Sequence, residues 1–324
     1  MAAKCSVVAA AAIALCAACG DSSDGPGGAT GGSGTSTDTS TTGGGAGGGG
    51  TTSTTTTGFG GFTGDSVTLT MEPFVVPSGG EVYKCQDFAN PFGGADAEVA
   101  AFESHMTPGS HHLLLFYKSG ATDGPIEDCS GLEFAATPYS TQLPDDAVEF
   151  PPGVAVLVNP STGLRMQSHY LNVTGGDLTA NVSITFHLAE SGTVTAHAGV
   201  LFVVEPQIFV PPNQTAVVQH DCSIPFDMNL TKGASHMHKH GTSFEATIDG
   251  AVVYQTTTWD EPAPALWDPP KAVKGGDPLH FACSFKNDSS SPLTFGESAE
   301  SNEMCIFVAS FFPVPDGSVT VDCN

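Results

Sequence analysis

Three histidines fall within five residues in the segment Ser235-His236-Met237-His238-Lys239-His240-Gly241. Read as an extended strand, its side chains alternate, so His236, His238 and His240 share one face while Met237 and Lys239 take the other. Three imidazoles on one face can converge on one ion. Imidazole suits copper, zinc, iron and nickel alike, so the segment predicts a metal site without naming the metal; a polar strand with solvated histidines is the competing reading. A second candidate is the pair His111-His112, which heads the apolar run Leu113–Tyr117 just after Pro108-Gly109. Consecutive strand residues face opposite ways, so both can reach one ion only at a strand end or a bulge. In Arg165-Met166-Gln167-Ser168-His169-Tyr170, Gln167 and His169 share a face, and Gln167 could orient the ligands. His105, His187, His197, His220 and His280 have no partner pattern and read as structural.

The elements that must position these groups read as strands. Ser66–Pro77, Glu81–Phe88, Glu98–His105, His111–Tyr117, Val154–Val158, Leu164–Leu171, Asn181–Leu188 and Thr193–Val204 are β-like in the first part of the chain. Thr215–Asp221, Phe244–Ile248, Ala251–Tyr254, Leu279–Lys286 and Met304–Phe312 follow, with Asp249-Gly250 as a hairpin turn. Asp123–Glu149 reads as a long surface connection and Trp259–Lys271 as a proline-rich excursion. No amphipathic helix of three turns and no tandem repeat stands out. The expectation is an all-β protein of two antiparallel sandwiches, one over 65–192 and one over 193–324.

The N-terminus adds a compartment. Lys4 followed by a short apolar run and Cys16-Ala17-Ala18-Cys19-Gly20 reads as a signal peptide over 1–18. Cys19 is then the lipid-bearing first residue of a bacterial lipoprotein, and Gly20 after it favours the outer membrane, facing the periplasm or the cell surface; plain secretion is the alternative. Residues 19–64 are rich in Gly, Ser and Thr and predict a disordered tether. A formal net charge of −25 with nine Lys and Arg excludes nucleic-acid binding. Six cysteines remain in the body, Cys85, Cys129, Cys222, Cys283, Cys305 and Cys323. An even count in an exported chain reads as disulfides, with the pairing open.

His111-His112-Leu113-Leu114, Gln167-Ser168-His169-Tyr170, His236-Met237-His238 and Asn302-Glu303-Met304-Cys305 occur in that order along the body. Together they resemble the copper type II, ascorbate-dependent monooxygenases, the family of peptidylglycine α-hydroxylating monooxygenase and dopamine β-monooxygenase. The resemblance implies two jelly rolls facing each other across a cleft, with two copper ions per chain. It implies that His111, His112 and His169 hold an electron-transfer copper, and that His236, His238 and Met304 hold the catalytic copper that meets O2. The two pockets are expected to be separate, with ascorbate as the electron donor. It pairs Cys85 with Cys129, Cys222 with Cys323 and Cys283 with Cys305. Two imidazoles and a thioether also suit, on chemical grounds, a metal cycling between Cu(I) and Cu(II). His240 is left as a supporting group, an alternative ligand or an exposed residue.

The chain departs from the peptide-hydroxylating branch where that branch holds its substrate carboxylate. The Arg, Asn and Tyr of that branch are here Ala234, Ile306 and Val308. A carboxylate buried there lacks a charged partner, so a small apolar or aromatic substrate is expected. A non-catalytic, copper-binding or copper-buffering exported lipoprotein is the alternative. A zinc hydrolase ranks last, since no His-Glu-x-x-His segment exists.

Overall fold

A computed structural model describes residues 51–55, 65–132, 135–315 and 319–323. The signal peptide, Cys19 and most of the tether lie outside the described residues. One part of the tether does not: Thr51–Thr55 pairs antiparallel with Asp65–Thr70, Thr51 opposite Leu69. Threonine is β-branched and favours extended backbone, and the Asp65–Thr70 edge offers it unpaired groups.

Every regular element among the described residues is a strand, so the chain is all-β. A seven-stranded sheet is built around Asp65–Thr70, Val182–Leu188, Ala97–Met106 and Val154–Val158. A five-stranded sheet has Glu81–Phe88, Thr162–Leu171 and Ser110–Ser119 at its centre. Both sheets feed one core, Leu69, Val99, Phe102 and Ile184 from the first and Phe88, Leu113, Leu115 and Met166 from the second. The alternation of apolar and polar residues supplies these inward faces directly.

From Gly199 onward a second pair of sheets repeats this logic. Ala265–Val273, Met228–His236, Ile306–Phe312, Gly199–Val204 and Thr320–Val321 lie in that order in one. Gln214–Ser223, Pro278–Asn287, Gly241–Ile248 and Ala251–Thr256 form the other. Their shared core includes Leu201, Leu230, Phe307 and Phe311 against Phe244, Phe281 and Phe285. Among the described residues no ladder joins strands up to His197 with strands from Gly199 on, yet Ala46–Asn324 forms one compact unit.

Two stretches differ from expectation. Asp123–Glu149 is not simply a surface connection: it contributes Glu127–Asp128, Tyr139–Thr141 and Asp145–Glu149, and buries Tyr139 and Val148. Strands of two to five residues are too short for periodicity to outweigh their Asp and Pro content. Within the proline-rich excursion, Ala265–Val273 forms an edge strand on Met228–Gly233. An edge tolerates Pro269 and Pro270 because one side of its backbone needs no partner.

The three disulfides join Cys85–Cys129, Cys222–Cys323 and Cys283–Cys305, with Cα separations of 5.8, 5.6 and 5.9 Å. These are the pairs the resemblance implies. The Cys85–Cys129 bridge closes 44 residues of chain. Replacing both by serine is expected to cost about 4 kcal/mol by loop-closure entropy. A urea-unfolding midpoint unchanged from the parent protein would contradict that.

Candidate metal centre

The strand Ser110–Ser119 begins straight after Gly109, whose φ of 103° turns the chain. In its ladder with Thr162–Leu171, His112 pairs with His169 and Ser110 with Tyr170, so His111 is the extra residue of a bulge. That bulge lets consecutive histidines turn to one side. His111, His112 and His169 consequently present ring nitrogens within 4.8 Å of one another.

The second set forms where Met228–His236 ends. The chain leaves the ladder at Met237, and Lys239-His240 makes a turn. The buried carboxylate of Glu303 causes this by accepting the backbone N–H of His238 at 3.0 Å and of His240 at 2.8 Å. Gly241 closes the turn, since a Cβ there would meet Met237 at 2.8 Å. The three histidines therefore do not share one face. His236 and His238 turn inward, whereas His240 is half-buried with its Nε2 3.3 Å from the Glu300 carbonyl, outside both histidine sets.

His236 and His238 form their set with His111, again within 4.8 Å. His111 belongs to both sets. Ring centroids lie 4.8 Å apart for His111–His236, 5.3 Å for His111–His238 and 5.1 Å for His112–His236. The five imidazoles are one cluster, where two separate pockets were expected. Trp259 stands edge-on to His111 at 5.5 Å.

What draws the two sets together is a group of contacts between the halves. Glu81 accepts from His169 Nε2 at 2.9 Å, from the Ser298 hydroxyl at 2.8 Å and from the Ala299 N–H at 2.6 Å. Tyr83 stacks on His169 at 3.8 Å, and its hydroxyl donates to the Glu297 carbonyl. Gln142 accepts from His236 Nδ1 at 2.8 Å and donates to the Ser235 carbonyl. His238 Nδ1 lies 3.2 Å from the Asn302 carbonyl and donates to it.

These partners fix the tautomers. They leave His169 Nδ1, His236 Nε2 and His238 Nε2 buried with no partner among the described residues, as are His111 Nε2 and both His112 nitrogens. Buried polar atoms are normally paired, so a converging set of orphan nitrogens fits an ion. Burial also holds the rings uncharged. It lowers His112 to about 3 and His238 to about 4, and it drives His111, His169 and His236 well below the ordinary histidine value. Neutral imidazole is the ligating form.

Met304 is buried and lines, with His112 and His236, a cavity of about 660 Å³. Glu303 and the Cys283–Cys305 bridge hold it on either side. Ala234, Ile306 and Val308 line the same cavity. Gln167 donates to the Ser130 carbonyl at 2.9 Å. His105, His187, His197, His220 and His280 each face a carboxylate outside the cluster. His220 also lies near Cys222 and Cys323, whose sulfurs are consumed in a disulfide.

Sequence reasoning missed Glu81, Tyr83, Gln142 and Trp259, none of which carries a local signal. Glu303 lay in plain view beside Met304, within Asn-Glu-Met-Cys, but its role requires the fold.

No family model matches the chain. A human protein named "Putative DBH-like monooxygenase protein 2" is 22% identical over 281 residues, covering 76% of this chain. The chain spans 56% of that protein's length. Solved structures with some likeness include the major capsid protein P2 of bacteriophage PM2, at 9% identity, covering 76% of this chain and all of that one, with a TM-score of 0.28. PNGase F of Flavobacterium meningosepticum, a glycosylasparaginase, has 11% identity, coverage of 76% and 94%, and a TM-score of 0.31. Such scores carry no argument about this fold. The chain is thus similar in sequence to a DBH-like monooxygenase, at a distance.

The cluster has a consequence for the metal-free protein. Histidines with folded values near 3 and 4 bind fewer protons folded than unfolded once the pH falls below about 6.5. Stability is therefore full above that pH and is lost progressively toward pH 4. Thermal melts of chelator-treated protein should show a falling Tm over this window, and a flat profile would contradict the burial of neutral rings.

Proposed function

We propose that this chain is an exported copper-dependent monooxygenase of the ascorbate-dependent type II family, acting on a C–H bond of a small apolar or aromatic molecule. The observation that carries the reading is the cluster itself: five uncharged imidazoles with orphan nitrogens, two of which line a largely apolar cavity together with the buried Met304. In this reading the two halves are jelly rolls over 65–192 and 193–324. His111, His112 and His169 would hold one copper, and His236, His238 and Met304 the other. Thioether favours copper over zinc, because Cu(I) accepts soft sulfur and zinc gains nothing from it.

Copper, when bound, would supply the one-electron chemistry that turns O2, two electrons and two protons into a hydroxyl group on substrate and a water. The chain's own part is placement and exclusion. Glu81, Gln142 and the Asn302 carbonyl aim the imidazoles by taking the N–H on the far side of each ring. The apolar cavity wall excludes water from the reacting carbon and leaves a carboxylate no charged partner at Ala234, Ile306 or Val308. The reductant, ascorbate or an equivalent, supplies both electrons. A copper-buffering lipoprotein needs the ligands but no apolar cavity beside them, so the cavity favours catalysis.

The three disulfides support an oxidising, extracytoplasmic setting. No helix among the described residues is long and apolar enough to cross a membrane. Attachment through lipid on Cys19, at the outer membrane, is part of the proposal.

Protein purified inertly and loaded with copper should hold two ions per chain by mass spectrometry. His169→Ala is expected to lose one of them. Met304→Ile should retain copper binding at the other set, yet lose at least about tenfold of ascorbate-dependent, product-coupled O2 uptake, a loss of about 1.4 kcal/mol in transition-state stabilisation. Copper loading without any coupled product would instead establish the buffering protein.

A further inference from the structure

The floor of the 660 Å³ cavity is a grid set by strand register. In the Met228–His236 strand, His236, Ala234 and Lys232 alternate onto one face and all line the cavity. Each has a direct partner in Ile306–Phe312, and each partner has one in Gly199–Val204. The row nearest the cluster is His236–Ile306–Val204, and the middle row is Ala234–Val308–Phe202. The far row is Lys232–Ser310–Val200. One full row of hydrocarbon, Ala234–Val308–Phe202, therefore separates the histidine row from a polar end. Four residues at about 3.3 Å each place the Lys232 backbone roughly 13 Å from that of His236.

The buried part of the polar end is an ion pair, and the exposed Asp322 also lines the cavity. Lys232 Nζ donates to Asp146 Oδ2 at 2.6 Å, and both side chains are nearly buried, at 11% and 5% exposure. Asp146 Oδ2 also accepts from the Tyr139 hydroxyl at 3.0 Å, so that oxygen is engaged twice. An ammonium has three donors, and Asp146 is the only partner of Nζ among the described residues. The cavity thus offers N–H donors beside an acceptor already engaged.

We propose that the cavity selects an elongated, uncharged ligand: an apolar, preferably aromatic body ending in one neutral acceptor, a hydroxyl or carbonyl, that docks on Lys232 and Ser310. The opposite end of such a ligand lies at His236 and Met304. A carboxylate head would have to compete with Asp146 for Lys232 in a desolvated site. An ammonium head would meet Lys232 directly. The inference rests on the proposed function only for which end reacts; binding does not depend on it.

The probes are 4-phenylbutan-1-ol, 4-phenylbutanoate and 4-phenylbutylamine, titrated calorimetrically into the full chain, metal-free and copper-loaded. The alcohol should bind at least about tenfold more tightly than either charged analogue, the scale of one good polar contact. The double variant Lys232→Met/Asp146→Asn, which removes both charges together and leaves neither buried alone, should weaken alcohol binding at least about tenfold by removing its donor, and undiminished binding overturns docking on Lys232. Val308→Trp, filling the middle row, should abolish binding of all three while leaving the circular dichroism unchanged. Equal or tighter binding of a charged analogue, alcohol binding that survives Val308→Trp, or no binding to the parent protein overturns the proposal. Selective alcohol binding with no turnover by copper-loaded protein would leave the proposal standing and sink the oxygenase reading. Turnover of a charged substrate would do the reverse.

Discussion

Packing five imidazoles out of water, edge against edge, is the constraint to which the rest of the molecule answers. Each ring must stay uncharged, because a proton on one is repelled by its neighbours and is poorly solvated. Each orphan nitrogen costs about 1–3 kcal/mol without a ligand. A chain that tolerates such a cluster must hold it by contacts made elsewhere, and must fix which nitrogen of each ring faces inward. Glu81, Gln142 and the Asn302 carbonyl do the second task by engaging the outward nitrogen of one ring each.

The first task falls to the loop before Met304. Its Glu297 carboxylate accepts from the Ser130 hydroxyl and the Gly131 N–H of the other half, while Ser298 and Ala299 donate to Glu81. Gly131 is obligatory there, since a Cβ would sit 2.4 Å from the Tyr83 ring that stacks on His169. The disulfides brace the same places: Cys85 and Cys129 flank Tyr83 and Ser130, and Cys305 follows Met304. The disulfides and the cluster geometry therefore depend on the same segments, and disulfides of this kind suit an oxidising compartment.

The strand Met228–His236 unites the remaining features. One face supplies a histidine of the cluster, a hydrocarbon floor and an ion pair in succession. The other carries Gly233, where a Cβ would collide with Trp267 at 2.4 Å, so the edge strand's indole packs directly onto this backbone position. Position along the strand becomes position along the cavity, because the pleat repeats every two residues.

Residue type and alternation determined that the chain is built of strands, and they singled out the histidine tract holding His236 and His238. That His111 and His112 could meet one ion only at a strand end or a bulge was also readable, and the structure shows the bulge. The family resemblance brought in His111, His112 and His169, together with Met304 and the three cysteine pairs. Only the tertiary structure decided that His240 turns away, that both histidine sets merge around His111, and that Glu81 and Gln142 orient them. Alternation is a property of adjacent residues and can be read from adjacent letters. The merger depends on contacts such as Gln142 with His236, 94 residues apart, and Glu81 with Ser298, 217 apart, and no local pattern encodes those.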